Sequence, residues 1–243
     1  DRCKNKNISV WLITPQTNLH VGNEGVGTFS VIDKAIQRDV TTKLPCINSS
    51  SLKGAVKELF TAWVAQGKAG VSAEMVKRLF GSIKENAETG MQKEKDTQKG
   101  LATFFDATLL YLPVQSDEHL YDLTFADELL NLFVEKVKNL GCEEFDRNVI
   151  CESISYSHKR AVAPKDFIES CNDESLPIIA RNCLDNGESI NLWYEQVLPS
   201  MSVLAAVIET PEDETLDVLD GQIVQIGANA TIGYGFCKFK KIK

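Results

Sequence analysis

Two glycine-punctuated loops, one near each end of the chain, constrain its fold more than any other feature. The first is Leu19-His20-Val21-Gly22-Asn23-Glu24-Gly25-Val26-Gly27, which leads into Val31-Ile32-Asp33-Lys34-Ala35-Ile36-Gln37-Arg38-Asp39. The second is Gly227-Ala228-Asn229-Ala230-Thr231-Ile232-Gly233-Tyr234-Gly235-Phe236, shortly before the last residue. Glycine takes positive φ at little steric cost and lets a backbone come close to a ligand. A glycine-rich turn beside a helix end can offer N–H groups to a phosphate. Most such loops are turns and nothing more. Two of them, with the lone acid Asp33 and the nearby Arg38, suggest a protein that holds a phosphate backbone and can cut it. What lies between them decides the matter.

The 243 residues suffice for one large domain or two small ones, and 43% hydrophobic content supports a substantial core. No apolar run approaches the roughly 18 residues that span a bilayer, so no membrane partner is expected. No signal-peptide pattern follows Asp1, and a start at Asp rather than Met is consistent with residues missing or removed upstream. The seven cysteines contain no C-x-x-C pair, which reads as free thiols in a reducing cytosol, hence a cytoplasmic location. The three histidines, His20, His119 and His158, are far apart, which speaks against a zinc site. A net charge of -8 is unlike a free-standing nucleic-acid binder. The charge is uneven, however: residues 34–57 and 158–165 are locally basic. That distribution fits a subunit of an assembly.

The pattern of elements predicts an α+β fold. Ile8 to Ile13 alternates as a strand that Thr14-Pro15 ends. Asn48-Ser49-Ser50-Ser51 supplies helix caps, and Leu52, Val56, Leu59, Phe60 and Trp63 share one helical face. Lys53 and Lys57 lie one turn apart on another face. A short helix is expected over 73–80, a polar, mobile excursion over 83–100, a core strand over 101–112 and a helix over 124–140. Strand-like pieces are expected around 150–156, inside a protruding hairpin or subdomain within 142–190. Strands follow at 192–198 and 203–209. Thr210-Pro211-Glu212-Asp213 has the composition of a helix start, with Leu216, Leu219, Ile223 and Ile226 continuing its stripe up to Gly227. The last strand runs over 236–242. The order predicts split β-α-β units of the ferredoxin-like kind in a single domain over 1–243.

Several motifs have a bland and a sharp reading. Ser50-Ser51-Leu52-Lys53 matches S-x-x-K, but the partner motifs S-D-N and K-T-G of acyl-enzyme chemistry are missing from the chain. A helix start with hydroxyls and Lys53 suits an anion better. Asp33 reads either as a turn-capping acid or as a catalytic or metal-associated one. His20 reads more readily as a hydrogen-bonding residue than as a catalyst. Asn191-Leu192-Trp193-Tyr194-Glu195-Gln196-Val197-Leu198-Pro199 reads as a core strand with Glu195 solvated or paired, and His158-Lys159-Arg160 as a solvated basic turn able to reach a phosphate.

Taken in order, these segments resemble the RAMP superfamily of CRISPR-associated proteins, in particular the repeated backbone subunit of type III-B (Cmr) effector complexes. Thr14-Pro15 with His20-Val21-Gly22 is similar to the family's T-P-x-H-x-G opening, and Val31 to Asp39 to its V-V-D-x-P-I-Q-R-E segment. Ser50 to Ala55 matches S-S-L-K-G-A, Asn191 to Pro199 resembles N-L-W-Y-E-E-x-L-P, and Gly227 to Gly235 resembles its C-terminal glycine-rich loop. Each motif alone is weak; the ordered set is specific. Ala35 stands where the family has proline, which predicts a looser loop after Asp33, and Gln196 replaces the second acid.

The resemblance implies a modified ferredoxin-like (RRM-like) palm with an inserted thumb, expected within 142–190. It implies copies stacked along a CRISPR RNA as a helical filament with other type III effector subunits, and target RNA cut at regular intervals where thumbs interrupt the duplex. It makes Asp33 the catalytic residue and the ligand of Mg²⁺ or another divalent metal, weakly bound and shared with RNA. The RNA-binding set expected from the motifs is His20, Gln37, Arg38, Ser50, Ser51, Lys53, Lys57, Gly227, Asn229, Gly233 and Gly235. A non-catalytic RAMP scaffold that only binds guide RNA is the rival; a stand-alone repeat-RNA processing nuclease finds little support in three scattered histidines.

Overall fold

The computed structural model describes residues 6–22, 32–82 and 98–243. The part of the first glycine cluster over 23–31, and the expected excursion apart from its last residues, lie outside them. In chain order the elements are β1 (Lys6–Pro15), β2 (Cys46–Ile47), α1 (Ser49–Ala65), α2 (Ala73–Phe80), β3 (Gly81–Ser82), β4 (Gln98–Lys99), β5 (Thr103–Phe104), β6 (Ala107–Val114) and β7 (Asp122–Phe125). There follow α3 (Asp127–Asn139), α4 (Arg147–Ser153), β8 (Lys159–Ala161), α5 (Pro164–Ser170), β9 (Ile178–Asp185), β10 (Glu188–Gln196), β11 (Val203–Pro211), β12 (Ile223–Gln225) and β13 (Phe236–Lys241). A nine-stranded sheet carries the order β12-β13-β1-β11-β6-β7-β8, with β2 on β6 and β5 on β11.

Two split β-α-β units interlock in this sheet. The chain leaves β1, forms α1 and α2, and returns in β6 with β11 between the two strands. It then leaves β7, forms α3, and returns in β11 with β6 between. The sheet is apolar on both sides: on β1, Trp11 and Ile13 pack beneath α1 and α2, while Val10 and Leu12 pack beneath α3 and α4. β11 is buried from Val203 to Thr210, so helices seal the central strands on both faces.

Local chemistry explains the helices. On α1, Leu52, Val56, Phe60 and Trp63 are buried, as the 3.6-residue spacing predicts. The Ser49 N–H of α1 donates to Asp106 Oδ1 at 2.6 Å. Asp106 lies at the break that divides the expected strand over 101–112 into β5 and β6. The helix expected over 124–140 is shorter, because Asp122–Phe125 pairs with β6 first. Asp127 and Glu128 open α3, and Lys136 and Lys138 close it, each favourable to the helix dipole.

Three expectations fail. Residues 150–153 belong to α4 and 154–156 are irregular, so no strand forms there: Asp146 accepts the Asn148 N–H at 2.6 Å, and Ile150 drops fully into the core beside α3. The helix expected after Thr210 is absent. β11 continues to Pro211 through pairing with β1, the Thr210 hydroxyl donates to the Glu214 carbonyl at 2.7 Å, and a 3₁₀ turn at Asp217–Leu219 leads into β12. The apolar stripe fits the core without a helix, since Leu216, Leu219 and Ile226 are buried while Ile223 is 43% exposed. Finally, residues 142–190 are not one protrusion. Phe145 and Ile150 sit in the core below α3, and the separate two-stranded ribbon is β9 with β10, over 178–196.

The described cysteines are free thiols. Burial pushes Cys46, Cys171 and Cys237 up to about 12, which leaves them chemically quiet.

Candidate functional site

Four segments converge where the ribbon meets the sheet: residues 19–22, residues 32–38, the end of β10 and the glycine loop after β12. Backbone pairing ties them. Leu19 exchanges hydrogen bonds with Leu198, and the N–H groups of Asp33 and Lys34 both donate to the Tyr194 carbonyl at 3.1 Å. The Gln196 N–H donates to the Lys34 carbonyl at 2.9 Å, and Gln37 N–H to the Val21 carbonyl at 2.9 Å. The segment after Asp33 is therefore pinned along its length, even though Ala35 replaces proline.

Asp33 is exposed, and its Oδ2 accepts the Tyr194 N–H at 2.7 Å. Its Oδ1 has no partner among the described residues. Among the described residues the carboxylate is thus aimed by one bond and open at the other oxygen. Among the described residues no group of three or more His, Cys, Asp or Glu side chains is placed to hold a metal. One carboxylate oxygen suits an ion whose other ligands come from water and phosphate, and not a dedicated protein cage.

Behind Asp33 lies a residue whose importance the sequence understated. Glu195 is 1% exposed. Its Oε1 accepts Trp193 Nε1–H at 3.0 Å and Lys34 Nζ at 3.2 Å, and its Oε2 accepts Asn229 Nδ2 at 2.9 Å and Arg181 Nε at 3.0 Å. Burial alone would push this carboxyl up, but the bonds from Trp193 and Lys34, with the charges of His20 and Arg181, hold it below the usual carboxylate range. Arg181 also stacks over the Tyr234 ring at 4.6 Å, and Lys34 lies 5.1 Å from the Trp193 ring centre. One buried carboxylate therefore joins the Asp33 segment, both ribbon strands and the glycine loop. The in-phase pair Trp193 and Glu195 was the available signal.

His20 is 3% exposed, and its Nδ1–H donates to the Gln196 carbonyl at 2.7 Å. Gln196 is fully buried: its Oε1 faces the Ile36 N–H at 3.4 Å and its Nε2 donates to Asp173 Oδ1 at 3.1 Å. An acid at 196 would face Asp173 charge to charge. Glutamine supplies the donor that this position needs.

The remaining expected site residues divide. Gln37, 8% exposed, donates to Ser51 Oγ at 3.0 Å and accepts the Asn48 N–H at 2.8 Å, so it locks the loop to the start of α1. Arg38 donates to the carbonyls of Lys43 and Cys171 and pairs with Asp173 at 2.8 Å. Both serve the scaffold in this arrangement, and Asn229 is held by Glu195. Ser50 is exposed on the first turn of α1. Lys53 and Lys57 lie farther along that helix, donating to the carbonyls of Ala102 and Gly81 at 3.1 and 3.2 Å. Burial and the like charges of Lys57 and Lys99 lower the Lys53 pKa, so three ammonium groups share one patch.

The glycines divide as well. A Cβ on Gly227 would lie 2.3 Å from the His20 carbonyl oxygen, and one on Gly235 would lie 2.0 Å from that of Ile226, both at positive φ. These two permit close approach of the protein to itself. A Cβ on Gly233, at φ +85°, would meet nothing within 4 Å among the described residues. We expect Gly235→Ala to cost about 2–5 kcal/mol of stability, from left-handed strain and collision together. Gly233→Val, carrying only the strain of about 1–2 kcal/mol, should fold but load RNA poorly. Thermal melts and RNA retention of the two variants check this; equal melting temperatures would contradict it.

Comparison with known proteins gives a consistent picture. The RAMP superfamily model matches residues 12–238. The CRISPR system Cmr endoribonuclease Cmr4 of Pyrococcus furiosus is 24% identical, over 95% of this chain and 93% of its own. A chain of the type III-B Cmr-beta assembly in its apo state superposes with a TM-score of 0.72 at 20% identity, covering 97% of both chains. Oligomeric Cmr4 from Pyrococcus furiosus superposes with a TM-score of 0.68 at 19% identity, covering 99% of this chain and all of the other.

Proposed function

The chain belongs to the RAMP superfamily, and from that premise we propose that it is the repeated backbone subunit of a type III-B CRISPR effector complex, binding CRISPR RNA and cutting complementary target RNA. The observation that carries the catalytic part is Asp33: an exposed carboxylate, aimed by Tyr194 N–H and without a partner at Oδ1 among the described residues, where four segments meet. A scaffold that only holds guide RNA has no need of it. The similarity to an RNA-cutting relative over 95% of the chain supports the same reading.

In this reading the sheet is a ferredoxin-like palm, supported by its two split β-α-β units, and the β9–β10 ribbon is the thumb. The partners are CRISPR RNA, target RNA, further copies of the chain in a filament, and other effector subunits. No helix among the described residues is long and apolar enough to cross a membrane, and the free cysteines suit the cytoplasm.

The chemistry is attack by a target 2′-hydroxyl on the adjacent phosphorus, with departure of the 5′-oxygen of the next nucleotide. Two roles fit Asp33 Oδ1: accepting the 2′-hydroxyl proton, or sharing a weakly held divalent ion with the RNA phosphates. Such an ion would supply charge neutralisation. Glu195 and Tyr194 hold the Asp33 segment against the ribbon, so that orientation is set before RNA arrives.

Lys53, Lys57 and Lys99 form the patch for the guide backbone, with Ser50 at the start of the same helix. Lys53→Glu should weaken guide loading at every salt concentration and reduce the slope of log K against log salt by about 0.7 per lost phosphate contact. An unchanged affinity and slope would remove Lys53 from the groove. The function as a whole is tested by co-expressing the chain with effector partners and sequencing the RNA that purifies with it. CRISPR RNA of defined length is expected; RNA without repeat-derived sequence would overturn the reading.

A further inference from the structure

Among the described residues, the helices that seal the sheet leave one corner of it open. On the α3–α4 side the packed core takes residues from β1, β11, β6 and β7 but none from β12 or β13. Pairing fixes which side chains face that corner. Leu12 pairs with Lys240, Thr14 with Lys238, and Lys238 with Ile223, so all of these lie on one face. Their alternates on β13, Cys237 and Phe239, are fully buried on the opposite face. β13 therefore alternates core and lysine, and Ile223, 43% exposed, extends the open surface to the sheet edge.

A cavity of about 470 Å³ stands on this floor. Its wall is an aromatic pair: Tyr121 and Tyr156 stack with centroids 4.3 Å apart and planes 5° from parallel. The pair is rigid, because Tyr156 Oη–H donates to the Tyr121 carbonyl at 2.6 Å and His158 packs edge-on against Tyr156 at 5.6 Å. Of the two lysines on the floor, Lys240 donates to the Ser153 carbonyl at 2.7 Å, while Lys238 is exposed and has no partner among the described residues. Asp220 on the rim has Oδ1 occupied by the Lys241 N–H at 2.8 Å. A floor of Leu12 and Thr14 flanked by lysines, a flat aromatic wall and an ammonium without a partner among the described residues call for a flat, anionic ligand. A nucleotide meets that description, with its base against the rings and its phosphate at Lys238. RRM-type sheets use bare strands and aromatic rings in the same way.

We propose that this corner is a second RNA site, taking one nucleotide of a single strand, separate from the Asp33 site. It stands on the sheet geometry and not on the catalytic assignment. Rigid rings lose little freedom on binding, which favours such a site.

The test uses the purified full chain without guide or target, titrated by calorimetry and ligand-observed NMR with adenosine 5′-monophosphate, and in a parallel arm with inorganic phosphate. Saturable binding of the nucleotide is expected, with phosphate alone at least about ten-fold weaker, since stacking of a base contributes a factor of that order or more. Lys238→Glu should weaken nucleotide binding by about ten-fold, and Tyr156→Leu similarly, whereas the charge-matched control Lys165→Glu, at an exposed position of α5, should not. No saturable binding, or binding indifferent to Lys238→Glu, overturns the proposal. If Lys238→Glu instead dissociates a self-associated form and leaves nucleotide binding untouched, the corner is an interface between copies. Cleavage is not read in this assay, so the two proposals fail separately.

Discussion

Asp33→Asn is expected to lower target-RNA cleavage by about 10²–10⁴-fold while guide and target binding stay near wild type. Asparagine keeps an oxygen that can accept the Tyr194 N–H, which Asp33 Oδ2 accepts at 2.7 Å. The backbone bonds from Asp33 and Lys34 to the Tyr194 carbonyl do not involve the side chain. The substitution therefore removes charge and basicity from an exposed position and leaves the loop where it was. Asp33→Ala should give the same loss. Assembled complexes supplied with end-labelled target, with Mg²⁺ or with EDTA, separate the two roles. Loss of wild-type cleavage in EDTA assigns the carboxylate to a shared ion; cleavage that survives EDTA but not the substitution assigns it to proton transfer. Wild-type fragments from Asp33→Asn would dismiss the residue from the chemistry.

The second large effect belongs to Glu195. Glu195→Ala deletes an acceptor of four hydrogen bonds and leaves the Arg181 guanidinium, 19% exposed, without its counter-charge. Breaking a buried ion pair from one side costs about 3–5 kcal/mol; Lys34 is half exposed and can turn to water, so we expect the lower end. Because the Asp33 segment and the Asn229 loop both hang on this carboxylate, cleavage should fall with stability. The pH dependence has a defined sign. A carboxyl held below its ordinary value of 4.5 adds stability that is complete above that value and disappears as pH falls through the lower, folded one. Acid unfolding of the wild type should show this loss, and Glu195→Gln, which cannot ionise, should lack it. Identical acid profiles for the two would contradict the role given to Glu195.

The sequence made the chain path of the site readable but not its internal wiring. α2 was legible to the residue, because Ser72 caps it and its apolar spacing is regular. The catalytic candidate was legible only through the ordered motifs, since an aspartate between two apolar residues and a lysine has no distinctive pattern of its own. The helix expected after Thr210 shows why local signals fail. Thr210-Pro211 is a good helix start in isolation, but eight register positions with β1 outweigh it and carry the strand through to Pro211. Glu195 stayed hidden for a related reason. Apart from Trp193 in its own strand, its partners, at 34, 181 and 229, come from separate segments that only the folded chain assembles. The same holds for Gln37 and Arg38, whose polar groups look free in sequence and are engaged by Ser51, Asn48, Cys171 and Asp173 in the fold. Gly227 and Gly235 were recognised as special, but what they approach is the protein's own carbonyls.

The most direct test of the account is the fragment pattern of a complementary RNA. Complexes assembled from this chain, its partners and a defined guide are given target RNA labelled at one end, and products are resolved at single-nucleotide length. The account predicts a ladder of cuts at constant spacing, one for each repeated copy that carries an intact Asp33, and loss of the whole ladder when every copy carries Asp33→Asn. A target that is bound but stays intact with the wild-type chain, or is cut at a single position regardless of copy number, would contradict it.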